Sequence, residues 1–319
     1  MQSGGALFPL SRASAHEIAK AFAMHLGFRN TADMTIEALQ KIPVSQLLAA
    51  QDSVVASAQA PPWLGVTNGY GLPFQVTVDG IVFPVSPLTA LQQGLSKHIP
   101  VMLGWNRDEM RIFMNKATDT THAHVRKLVD GWLGSVVADA ATREAAVTRL
   151  LTAYLQEERA IGATEVDGFL YEAVHKDWTF RLGLYLVCQA QTVHSGGAPV
   201  YVYRFDCESV VAGLGACHIL EIPFCLGTFA DPIAARLCGR DEKVASLSLQ
   251  MQTLWTNFAK KAVPSPSWQP LPSLMVFDKS GERENAQQEQ QKAFADADVA
   301  RLMCWPVLLN EPPAKKQTK

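Results

Sequence analysis

The 319-residue sequence has no uninterrupted apolar run of about 18 residues, the length needed to cross a bilayer as a helix, so no membrane span is expected. Its opening, MQSGGALFPL, lacks the charged-then-apolar pattern of a secretory leader. Neither sign of charge dominates: 28 Lys and Arg stand against 30 Asp and Glu, for a formal net charge of -2. No basic stripe is interleaved with aromatics, and the one cationic cluster is the terminal AKKQTK, so no nucleic-acid partner is expected. Cysteine is scarce. Cys188, Cys207, Cys217, Cys225, Cys238 and Cys304 form no CxxC pair and no Cys/His metal spacing; they read as small buried hydrophobes of a reducing compartment. His122 and His124 stand two apart in a helix-like stretch, a spacing that aims side chains in different directions. No metal site is therefore expected.

What is present is a core-forming composition, 48% hydrophobic and 18% charged. Ser14 and Glu17 make an S-x-x-E capping box, and Ile18, Phe22 and Leu26 recur every fourth residue before Gly27, so a helix is expected from about 15 to 26. The alternation in FQVTVDGIVFPV, with Asp79-Gly80 at its centre, predicts a two-residue hairpin. Ser86-Pro87 predicts an N-cap and first turn for a short helix. IPVMLGW, 99–105, and PVYVYRFD, 199–206, are apolar rather than alternating, as strands covered on both faces are. Helical patterning fills 122–195, and a long helix with Val244, Leu247, Met251, Leu254, Trp255 and Phe258 on one face follows. SLMVFD reads as a strand, and 279–298 as exposed, charged and glutamine-rich. Strands separated by helices imply an α/β fold with a mainly parallel sheet and flanking helices.

Chemistry in open α/β sheets gathers beyond the carboxyl ends of the strands. Here one strand runs directly into Asp108 and Glu109, and the next into a glycine-containing loop that delivers His218 in LGACHILEIPF. An acid and then a histidine, in that order, form the tail of the Ser, Asp/Glu, His order of α/β-hydrolases. Spacing alone leaves Asp108 and Glu109 both open as the acid.

IPVMLGWNRDE resembles the VPLLIGxNxDE segment of type-B carboxylesterases, and GACHILEIPFCLG resembles their GAxHxxELPFVFG. VDGIVFP, DWTFRLGLYLVCQAQ, PVYVYRFD, LWTNFAKKAVPSPSWQPL and MVFD follow in the family's order, so the resemblance runs from residue 1 to about 305. It implies an α/β-hydrolase fold, a serine-esterase function without metal or cofactor, Glu109 as triad acid and His218 as general base, with Asp108 bracing the turn and Glu221 structural. Ile219 departs from the glycine or alanine that many members carry after the histidine. Trp105, Phe113, Trp132 and Phe169 are open as pocket lining or as core.

The opening MQSGG resembles the family's AIMQSGG, which implies that Ser3 supports Glu109 and that the first strands, the oxyanion segment and the nucleophile belong to an N-terminal portion outside these residues. No G-x-S-x-G and no HGG-type segment occur in the sequence. Ser3 lacks the strand-turn-helix setting of an attacking serine, and adjacency of Cys217 to His218 does not create a hydrogen bond between them. The resemblance thus implies the C-terminal portion of a carboxylesterase domain over 1–309 and a polar tail at 310–319. Its expected partners are small carboxylic esters and the N-terminal portion; alone, the chain is expected to be inactive. Two alternatives stay open: half of a split esterase, and a non-enzymatic binding module. Cysteine usage favours the cytoplasm, and a leader in the N-terminal portion would change that.

Overall fold

The computed structural model describes residues 1–5, 9–58, 72–115, 118–134, 137–163, 168–194, 196–279, 281–284 and 301–305; the tail expected at 310–319 lies outside them. In chain order the principal elements are β1 (Leu10–Ser11), α1 (Arg12–His25), α2 (Val44–Ala58), β2 (Thr77–Val78), α3 (Pro87–Gln92), β3 (Val101–Asn106), α4 (His122–Gly134), α5 (Ala140–Ala160), α6 (Phe169–Lys176), a π-helical turn (Asp177–Arg181), α7 (Leu182–Thr192), β4 (Val200–Phe205), α8 (Ile222–Leu226), α9 (Glu242–Lys261), β5 (Leu274–Asp278) and β6 (Gly281–Glu284). Among the described residues two compact units result, one within 1–5, 90–125 and 152–304, the other within 9–89, 126–151 and 305. No described helix is long and apolar enough to cross a membrane.

The first unit holds the sheet β3-β4-β5-β6, in which β3, β4 and β5 are parallel and β6 returns antiparallel. Register explains why the strands are apolar on both faces. Val101, Leu103 and Trp105 align with Val200, Val202 and Arg204, while Met102, Gly104 and Asn106 align with Tyr201, Tyr203 and Phe205. From the second row Met102, Tyr201, Tyr203 and Phe205, continued by Met275 and Phe277, pack into one buried cluster with Val244, Leu247, Met251 and Leu254 of α9. Tyr203, Trp255, Trp268 and Phe277 meet there edge-on or tilted, with Tyr203 and Trp255 centroids 5.1 Å apart. Ser248 donates its hydroxyl to the Phe224 carbonyl at 2.9 Å, tying α8 to α9.

Residues 1–3 lie beside β3 through a parallel bridge, Gln2 with Gly104. The Ser3 amide donates to Gly104 O at 2.9 Å, and the Gly104 amide to Met1 O at 3.1 Å. Gly104 is required here by space, since a Cβ would lie 2.3 Å from Tyr203 O and 2.4 Å from the Tyr203 ring.

In the second unit Ser11, not Ser14, caps α1, accepting the Ser14 amide at 3.0 Å, so the helix starts before the expected residue 15 and Glu17 instead pairs with Lys20. Gly27, at φ +84°, ends it as expected. Leu10, Ile18 and Val54 form the local core. The hairpin expected at Asp79-Gly80 is absent. Asp79 Oδ1 accepts the amides of Ile81, Val82 and Phe83 at 2.9–3.0 Å, curling the chain into a turn that consumes the donors a second strand would need. The first arm, β2, pairs parallel with β1 instead. Ser86 accepts the Thr89 amide at 3.0 Å, as the N-cap reading requires. In the first unit, within the charged stretch 279–298, Gly281–Glu284 form β6 by backbone pairing with β5.

Gly104→Ala is expected to destabilise the chain by about 3 kcal/mol, the upper end of the usual overpacking cost, because neither the Tyr203 carbonyl nor the ring can retreat within a packed sheet. Urea unfolding checks this; an unchanged midpoint would contradict the packing described.

Candidate functional site

The parallel register delivers the ends of β3 and β4 side by side, and their loops are sewn together. The Asp108 amide donates to Ala216 O at 3.0 Å and the His218 amide to Glu109 O at 3.3 Å. Asn106 Nδ2 donates to Cys217 O at 2.7 Å, and the Ala216 amide donates to Asp108 Oδ2 at 2.8 Å. Gly215 permits this approach: its φ is +55°, and a Cβ would lie 2.3 Å from Asp108 Oδ2.

Glu109 lies at the centre, fully buried. Its Oε1 accepts the Ser3 hydroxyl at 2.6 Å and the Asn106 amide at 2.7 Å; its Oε2 is 2.7 Å from His218 Nδ1. A carboxylate accepts only, so in the neutral ring Nδ1 carries the proton and Nε2 presents its lone pair. Burial of the imidazole opposes its charge, but the hydrogen bond and charge of Glu109, helped by Glu221, outweigh burial and hold the pKa above its ordinary value.

Asp108 is committed elsewhere. Its Oδ2 accepts from Arg107 Nε and Nη2 at 3.0 and 2.9 Å as well as from Ala216, and Oδ1 lies 3.2 Å from Arg111 Nη2. Burial works against its charge, yet these donors prevail and its carboxyl sits below the ordinary range. The structure therefore brings Glu109, and not Asp108, to His218, and it brings Ser3 to Glu109.

Glu221, also buried, accepts from Asn106 Nδ2 at 2.6 Å and Gln2 Nε2 at 3.2 Å. Burial, above all, raises its pKa. Asn106 thus serves two buried carboxylates, its amide one and its side chain the other. Cys217 is fully buried and burial pushes its thiol up, the reverse of an activated nucleophile. Of the four aromatics open as pocket lining, Phe113 comes to His218, with centroids 5.5 Å apart. Trp105 is buried beneath Arg181, Trp132 is buried beside Trp305, and Phe169 is half-buried at the start of α6. Sequence reasoning missed Asn106 and Phe180; the Phe180 ring stacks on the imidazole at 4.8 Å. The Asn-x-x-Glu spacing at a strand end was the available signal for Asn106.

The carboxylesterase family model matches residues 1–297. The chain belongs to the carboxylesterase family. It is 25% identical over 268 residues to the para-nitrobenzyl esterase of Bacillus subtilis, covering 83% of this chain and 48% of that protein. It is 29% identical over 210 residues to carboxylesterase 4A of Bos taurus, covering 60% of this chain and 35% of that protein. A solved thermophilic PNB esterase superposes with a TM-score of 0.68 at 22% identity, over 92% of this chain and 56% of that one. The chain thus has the α/β-hydrolase fold of these esterases and spans about half the length, or less, of the relatives named.

Ile219, the departure after His218, adopts φ +66°, a left-handed conformation that a β-branched residue disfavours by about 1–2 kcal/mol. Its side chain is 49% exposed, so little packing offsets the strain. Ile219→Asn is expected to raise stability by about 1 kcal/mol, because asparagine tolerates this region. A fall in the urea midpoint would contradict that account.

His218 also makes stability depend on pH. With its folded pKa raised above the unfolded value, its contribution is complete below about 6.5 and is lost as pH rises through the folded pKa. His218→Gln is therefore expected to cost more stability at pH 5.5 than at pH 9. An equal or reversed difference between the two urea midpoints would exclude the linkage.

Proposed function

We propose that this chain contributes the acid and the general base to carboxylic ester hydrolysis by acyl transfer. The observation that carries the reading is the 2.7 Å contact of Glu109 Oε2 with His218 Nδ1, which leaves Nε2 of the neutral ring to accept a proton. Nε2 takes the proton of a nucleophilic serine as it attacks the ester carbonyl, then returns it to the departing alcohol. A second pass through the same geometry, with water as nucleophile, frees the acid. Glu109 holds the ring in the productive tautomer and stabilises the imidazolium; Ser3 and Asn106 hold Glu109.

The serine and the oxyanion donors are proposed to come from polypeptide outside these 319 residues, in the same chain or in a partner chain. Two facts support this: the sequence has no G-x-S-x-G, and it spans only part of its relatives. The intact acid–histidine geometry favours an esterase portion over a binding module, which has no need of an oriented imidazole.

The 319-residue chain alone is expected to hydrolyse no p-nitrophenyl ester and to take no label from a fluorophosphonate. Supplying the upstream reading frame is expected to restore both. In that assembly His218→Ala should lower kcat by about 10⁶ and Glu109→Gln by about 10⁴. Labelling of the chain alone that disappears in Ser3→Ala would overturn the proposal, as would unchanged turnover in either variant.

A further inference from the structure

The π-helical turn Asp177–Arg181 interrupts what is otherwise one helix from Phe169 to Thr192. Such a turn holds one extra residue and shifts every later side chain around the axis. Here the local consequence is that Phe180 faces the imidazole. The rings stack with centroids 4.8 Å apart and 29° between planes, while Phe113 approaches at 5.5 Å and 40°. The two Phe residues differ in setting: Phe180 is 7% exposed and Phe113 56%.

The turn is anchored. Asp177, fully buried, accepts from Arg181 Nη1 at 3.0 Å, from the Tyr154 hydroxyl at 2.8 Å and from Arg301 Nε at 2.9 Å. Arg181 in turn lies over the Trp105 ring, 5.4 Å from its centroid. A buried carboxylate with three donors is costly to disturb, so the backbone that carries Phe180 is fixed from both neighbouring elements. The negative face of an aromatic ring attracts a cation, and more strongly where water is excluded.

We propose that Phe180 is a positioning residue for His218, holding the imidazole in line with Glu109 and favouring its cationic form while it carries a proton. This deepens the reading of His218 as general base and rests on it. The charged groups on the surrounding elements are Arg107, Asp108, Glu109 and Arg111 after β3, Glu221 on the histidine's own turn, and Glu172, Lys176, Asp177 and Arg181 on the helix of Phe180; Glu172 is paired with Arg111 at 3.2 Å. Asp108 is paired with Arg107 and Arg111, and Asp177 with Arg181 and Arg301. Lys176 Nζ donates to Arg107 O at 3.4 Å. That leaves Glu109 and Glu221 as the carboxylates acting on the ring, and both are present in every variant below except Glu109→Gln.

The test is the protonation midpoint of His218, followed by NMR in the 319-residue chain. Phe180→Leu is expected to lower it by about half a pH unit. Replacing Phe180 with pentafluorophenylalanine keeps the shape, so folding is retained, but reverses the ring's electrostatics; it too should lower the midpoint. Phe180→Tyr should preserve it, and Phe113→Leu should move it less than Phe180→Leu does. An unchanged midpoint with the fluorinated ring, or a fall in Phe180→Tyr as large as in Phe180→Leu, would overturn the proposal. Glu109→Gln separates the two readings: a midpoint that ignores this change would sink the acid–histidine assignment itself, whereas a midpoint that follows Glu109 and ignores Phe180 would sink only the aromatic role.

Discussion

The site depends on one buried carboxylate. Glu109 has no access to water, so its charge is tolerable only because three donors from three separate stretches converge on it: the Ser3 hydroxyl, the Asn106 amide and His218 Nδ1. Each donor sits where the sheet puts it. Ser3 is held by the bridge beside β3, Asn106 closes β3, and His218 follows the loop after β4. Removing any one leaves a buried charge undercompensated, so the site and the sheet are parts of the same balance.

Close backbone approach makes that convergence geometrically available. Gly104 lets residues 1–3 and Tyr203 flank β3, and Gly215 lets the histidine loop close on Asp108. Asp108 then braces the two loops by holding the Ala216 amide while Arg107 and Arg111 neutralise it. Adjacent carboxylates thus take different tasks because their surroundings differ: one faces arginines, the other a histidine. The cost of the arrangement is visible at Ile219, whose positive φ is imposed by the turn that aims His218.

Much of this was legible in the sequence. The buried strands showed as unbroken apolar runs, α9 as an apolar face, and the acid and histidine as residues just past strand ends. Family resemblance separated Glu109 from Asp108, which spacing alone could not do, and it also pointed to Ser3. What failed did so for local reasons. Asp79-Gly80 signals a two-residue hairpin, but the Asp79 side chain captured the following amides, and Ser11 out-competed Ser14 as the cap. Phe180 was out of reach because a π-turn breaks the 3.6-residue period on which helix faces are read, so its direction follows only from the folded backbone.

The central claim is that Glu109 fixes His218 with Nδ1 protonated and Nε2 open. Imidazole nitrogen shifts of the neutral ring, measured by NMR above its midpoint, test this most directly. The account predicts the Nδ1–H tautomer, with that proton far downfield and protected from exchange. A neutral ring found as the Nε2–H tautomer, or as the mixture of a freely solvated histidine, would contradict it.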